Sequence, residues 1–340
     1  MNHLAARHAI SAILTGQASH TRALALVTAL RLADHGPSAL ADATLAAALV
    51  LPADSGPLRP HPANQEPVPA TGDGCWTSLA RRCGEQPAHL GHGLALAAGL
   101  ARLWPSATPD ERPLLRTRYL SGLLQTTAPL GSYATRDQLR AATRDLPTSA
   151  DEGPFTAAAL ADLPHMPQAS DAHRLVAALL TDAGRLAPVA SAVATIACRA
   201  VGSGSRSPQA EDAILAALLL RHPGALPPED QALLILQAAH QAWWATSGSR
   251  PSEEIAADMT LAEAVRSSRV VNARRAGRRA VAEGRFWTEV PPLAQEILSH
   301  GSSGWVRPLA LLAEVPVDHQ PPPELAAAIC AGLARAWAVA

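Results

Sequence analysis

"AEDAILAALLL", residues 210–220, holds nine apolar residues in eleven, and all nine are Ala, Leu or Ile. Ala and Leu are strong helix formers because they lose little side-chain freedom in a helix. The same composition runs outward in both directions. Strand-favouring residues are sparse, with only two Phe and two Tyr in 340 residues. Pro and Gly cut the chain into segments of about 10–20 residues, the ordinary length of a globular helix. The expected fold is therefore all-α, with helices packed closely through Ala and the seven Trp as occasional large fillers.

The opening stretch also has a counterpart. "ADATLAAALVL" (41–51) resembles it, and "TSLARRCG…ARLW" (77–104) resembles "TLAEAVRS…GRFW" (260–287) in the same order. The offsets are about half the chain, so two similar helical halves are expected, 1–150 and 151–340, with helices 38–50 and 209–221 in equivalent places. One compact domain is the alternative. In this alignment the counterparts of His89 and His92 fall near Val271 and Arg274. Residues 52–74 are too rich in Pro and Gly for regular structure and read as a long loop, and "GSGSRSP" (202–208) as a shorter break. One continuous helix is expected over 258–285.

Several chemistries are excluded. All 28 basic residues are Arg, so no Schiff base, P-loop lysine or Ser–Lys dyad exists. Net charge is −1, which gives no global field for nucleic acid. No uninterrupted apolar run of ~18 residues is present to span a membrane. "MNHLAARHAISAIL" lacks a signal-peptide pattern, and Cys75, Cys83, Cys198 and Cys330 fit reduced thiols, so a cytoplasmic protein is expected. The ligand spacings of zinc and di-iron sites are missing, and no metal is expected.

Candidate chemistry centres on "QPAHLGHGLALAAG" (86–99). His89 and His92 are three apart and share one face of a helix expected over 87–104, started by Pro87. Leu96 and Leu100 continue that face. The pair is expected to line a partly buried pocket, with Gly91 and Gly93 leaving room for it, and neutral imidazoles there suit proton transfer. Trp76 and Trp104 flank this helix, and His3 and His20 are the histidines nearest the chain start; these four are candidate substrate contacts. His240, in "LLILQAAHQAWW", reads as a satisfied core histidine. In "RVVNARRAGRRAVAEGR" (269–285), Arg274, Arg275 and Arg278, with Arg279, occupy adjoining helical positions. That face suits a phosphate-bearing cofactor or, more plainly, solvent and nearby Glu side chains.

"HLGHG" (89–93) resembles the H-L-G-Y-G ending of the HPLIHLGYG-type motif of questin oxidase-like proteins. Asn2-His3 is similar to that family's early Asn-His. "LLLRHPGALPPEDQALLILQAAHQAWW" (218–244) resembles its later helix pair, and "LAEAVRSSRVVN" (261–272) falls where its A-V-x-x-x-DEHxxK segment is expected. Two departures stand out. Glu85 replaces the first His of the motif, and Ser267–Asn272 lacks the His and Lys. The resemblance implies an oxygenase of secondary metabolism, with fungal members linked to NADPH-dependent, Baeyer–Villiger-type opening of an anthraquinone ring. On that reading His89 and His92 polarise or deprotonate a phenol or ketone, Trp76 and Trp104 stack on a flat aromatic substrate, and loop 52–74 closes over it. The other reading is a non-catalytic, HEAT-like helical scaffold that binds a protein or peptide along a groove. An enclosed His-lined pocket favours the first, a continuous groove the second.

Overall fold

A computed structural model describes residues 3–15, 20–51, 67–85, 90–120, 137–138, 157–180, 183–201, 207–222, 224, 226–247 and 258–339. The fold is all-α, with no strand among the described residues. In chain order the helices are α1 (His3–Leu14), α2 (His20–His35), α3 (Ser38–Val50), α4 (Gly72–Glu85), α5 (Leu90–Leu103), α6 (Glu111–Arg118), α7 (Ala169–Leu179) and α8 (Leu186–Ala200). They continue with α9 (Ser207–Leu220), α10 (Pro228–Ser247), α11 (Leu261–Arg266), α12 (Val270–Ala282), α13 (Phe286–Leu298), α14 (Val306–Leu312) and α15 (Pro323–Ala338). None of the described helices is long and apolar enough to cross a membrane.

The chain gathers into two units. One comprises Met1–Cys75, Ala95–Gln125 and Ser252–Ala340, the other Trp76–Leu94 and Thr126–Pro251. This grouping is discontinuous in sequence, whereas the halves read from the sequence are divided at residue 150.

In the first unit α15 is buried at every position from Leu325 to Ala334, and α2 from Arg22 to Leu30. A helix that is apolar all round can satisfy itself only in a core, and here both are wrapped by neighbours. Helices α11, α12, α13 and α14 pack on α15; α3 and α14 pack on α2, and α13 on α3. Close approach of α12 to α15 depends on Gly277, where a Cβ would stand 2.7 Å from Cys330 Sγ and 3.0 Å from the Ala326 carbonyl oxygen. Burial pushes the Cys330 thiol up to about 12, so it is an inert apolar filler.

The second unit is built on α8, α9 and α10, each packed on the other two, with α7 against α10. Helix α9 is buried at every position from Ala210 to Leu220. Gln231 Nε2 at the start of α10 donates to the Leu220 carbonyl at the end of α9 (2.8 Å). An ion pair between Arg81 and Asp230 (2.5 Å) ties α4 to α10.

Three expectations change. The helix expected over 258–285 is two helices, because the chain reverses its curl at Ser268, whose φ is 56°. There the Arg269 N–H bonds to the Ala264 carbonyl and the Ser268 N–H to that of Val265, both at 2.9 Å. This is the pattern that closes a helix around a left-handed residue. Helix α4 starts at Gly72, inside the stretch read as loop 52–74, because the Thr71 hydroxyl accepts the Gly74 N–H (3.1 Å) and caps it; residues 52–66 lie outside the described residues. Helix α14 was not expected. The two helices matched by the sequence repeat also differ in setting: α3 buries one face (Leu40, Ala41, Thr44, Ala48), while α9 is buried all round. That difference lends the duplication no support.

Candidate functional site

Helix α9 carries two acids into the interior of the second unit. Glu211 is 4% exposed and Asp212 2%. A buried carboxylate is costly unless hydrogen-bonded, and Asp212 finds a donor at the start of α5. The first N–H groups of a helix have no acceptor within it, and their partial positive charge favours an anion. Asp212 Oδ1 accepts the backbone N–H of His92 at 3.0 Å, and lies 4.0 Å from His92 Nδ1. His92 itself is 4% exposed. The imidazole is thus held in a buried setting beside a carboxylate.

The glycine beside it has a different role from the one expected. Gly91 leaves no void. A Cβ there would stand 2.1 Å from the Asp212 carbonyl oxygen and 3.0 Å from Ala216 N, so the missing side chain is what lets α5 lie directly on the backbone of α9. Helix α10, on α9, contributes Gln237 and Gln241, both buried. Their spacing places them on one face. The interior of this unit is therefore Ala- and Leu-rich with a small set of acid, amide and imidazole groups.

A second histidine pair lies in the same unit. His173 Nε2 on α7 and His240 Nδ1 on α10 are 2.9 Å apart, both rings buried, so one donates and the other accepts. Burial first, and the neighbouring His240 second, push His173 down to about 4, which keeps it neutral. Trp243 lies against His240 with ring centroids 5.7 Å apart and donates its indole N–H to the Met166 carbonyl (2.9 Å). His240 is the satisfied core histidine that its apolar surroundings suggest.

The remaining expected residues are distributed as follows. His89 lies outside the described residues, as do the side chains of His3 and His20. Trp76 is buried in the second unit. Trp104 belongs to the first unit and is fully buried, donating to the Pro69 carbonyl (3.0 Å), with the Arg112 guanidinium 6.0 Å from its ring centroid. Such a ring fills a core. Arg278 pairs with Glu324 (2.8 Å), Arg274 is half-buried and Arg275 exposed on the outer side of α12. Among the described residues no group of three His, Cys, Asp or Glu side chains is placed to hold a metal ion.

Asp212, Glu211 and His173 are the residues that sequence reasoning missed. The signal for the acids was present, since Glu211 and Asp212 interrupt an apolar run that has no polar face to receive them. Compared with family models, curated proteins and solved structures, the chain matches none.

Proposed function

We propose that the protein is an enzyme that uses His92 for proton transfer on a flat phenol or ketone of polyketide type. The observation that carries this reading is the buried imidazole beside the Asp212 carboxylate, held by two segments far apart in sequence. A neutral imidazole takes a proton from a phenol or enolisable ketone, and a carboxylate nearby stabilises the imidazolium that results. Gln237 and Gln241 supply amide groups of the kind that orient a polar substrate. The Baeyer–Villiger-type oxidation, and NADPH as its electron source, rest on the family resemblance alone. No role in cofactor binding is assigned to Arg274, Arg275 and Arg278, of which Arg278 pairs with Glu324 and Arg275 is exposed. The proposal for this chain's own residues is therefore confined to the proton-transfer step.

The scaffold reading draws on the packing of sequence neighbours, α2 with α3, α8 with α9 and α9 with α10. Against it, a solenoid repeat touches only its neighbours, whereas α13 and α14 return onto α3 and α2, and α9 and α15 are buried along their length. The test is to incubate purified protein with a panel of hydroxyanthraquinones and related ketones, with NADPH and oxygen, and to identify products by mass. Substrate-dependent NADPH oxidation with a product one oxygen atom heavier supports the oxidation. Isotope exchange at the substrate without oxidation supports proton transfer alone. No turnover and no binding across the panel contradicts the enzyme reading.

A further inference from the structure

We propose that the first unit holds a second small-molecule site, a cavity between α11, α12 and α13 that takes a small organic anion with an apolar body. The cavity is about 440 Å³, within the range of about 300–1,000 Å³ usual for ligand pockets. Its wall carries three guanidiniums, Arg266, Arg279 and Arg285, against one carboxylate, Glu289. Three positive and one negative group leave a wall of net charge +2 in a chain whose net charge is −1. The rest of the lining includes Leu261, Ala276, Pro292 and Leu293, a floor for a hydrocarbon or aromatic portion.

The guanidiniums are positioned from behind. Arg266 is held by Glu296 (2.8 Å), and Arg279 by Asp258 (2.6 Å) and the Met259 carbonyl; Arg285 is held through its Nε by Glu283 (2.8 Å). None of these three acids lines the cavity, whereas Glu289, which does, pairs with Arg285 Nη1, so Arg266 and Arg279 are the groups that meet an anion. The pairs are exposed, Asp258 at 81%, and exposed ion pairs contribute only ~0–1 kcal/mol each. They orient the forks at little cost to exchange. A phosphate or carboxylate in the cavity meets planar donors that suit its oxygens in paired hydrogen bonds. On this proposal the Arg-rich stretch 269–285 contributes Arg279 to anion binding, with Arg266 from α11, rather than Arg274, Arg275 and Arg278.

Titration calorimetry of the full chain at low salt tests this with phenyl phosphate, benzoate and uncharged benzyl alcohol of similar shape. One of the two anions should bind saturably, one per chain, and weaken as salt rises, while benzyl alcohol does not bind; which anion binds tells phosphate from carboxylate. Arg266→Gln and Arg279→Gln should each weaken binding about tenfold or more, the loss expected for a charged hydrogen bond. Arg275→Gln, outside the cavity, should leave it unchanged. If Arg279→Gln fails to fold, Arg266→Gln, whose pair is exposed, carries the test alone. No saturable anion binding, equal binding of benzyl alcohol, or unchanged affinity in Arg266→Gln overturns the proposal. None of these outcomes depends on turnover at His92.

Discussion

At Gly91 the place of a side chain is taken by the backbone of another helix, the Asp212 carbonyl oxygen lying 2.1 Å from where a Cβ would be. Adding that carbon must push α5 off α9, and overpacking of a rigid interior costs typically 1–3 kcal/mol. Gly91→Ala is expected to lower stability by ~3 kcal/mol, because the clash is with backbone and cannot be relieved by a rotamer change. Urea unfolding monitored by circular dichroism checks it, and an unchanged midpoint would show that α5 does not sit on α9 there. Legibility at this scale is uneven. A glycine beside a histidine reads equally as room for a pocket or as a contact point, since the difference is made by a helix 120 residues away. The burial of His92 was legible from its spacing with Leu96 and Leu100 on the face of α5. Asp212 stood out only as an acid in an apolar run; its partner is a backbone N–H that no side-chain pattern marks.

Helices were legible where composition and punctuation agree. Segments 38–50 and 209–221 were expected almost as they stand, at α3 and α9. The break between α11 and α12 was hidden because it is made by Ser268 in a left-handed conformation, where Gly is the usual residue. Gly284, at the end of α12 with φ 70°, shows the ordinary choice. A non-glycine residue in this conformation costs ~1–2 kcal/mol, so Ser268→Gly is expected to raise stability by about 1 kcal/mol after the added chain entropy of Gly. Thermal and urea denaturation measure that gain; a loss would mean the Ser268 side chain contributes more than its backbone strain. The link between α7 and α10 gives a second prediction. His173 lies near 4 in the folded chain against an ordinary 6.5. The unfolded chain binds the extra proton first. Stability should be level above about pH 6.5 and fall as pH drops towards 4. Melting curves across pH 4–8 test this, and His173→Gln should be less stable at pH 7 but show a flatter acid limb. An identical acid limb in the variant would assign the loss to other groups.

Each unit of the molecule is organised about helices with no exposed face along most of their length, α2 and α15 in one and α9 in the other. Their Ala-rich, nearly featureless sequences made the fold class plain and concealed the pairing. Ridges of Ala and Leu match one another almost anywhere, so periodicity does not say that α13 meets α3 or that α14 meets α2. The contacts that specify such pairings are few and polar. Arg31 on α2 donates to Glu314, beyond α14, at 3.0 Å across 283 residues of sequence. In the second unit the corresponding marks are Asp212 with His92 and His173 with His240, and it is the first of these that carries the functional reading. Turnover of folded His92→Gln, compared with wild type on the best substrate of the panel, tests that reading most directly. The account predicts a fall in kcat of about 100- to 10,000-fold, the usual contribution of general acid–base catalysis, with the urea midpoint nearly unchanged. Full turnover by the folded variant would contradict it.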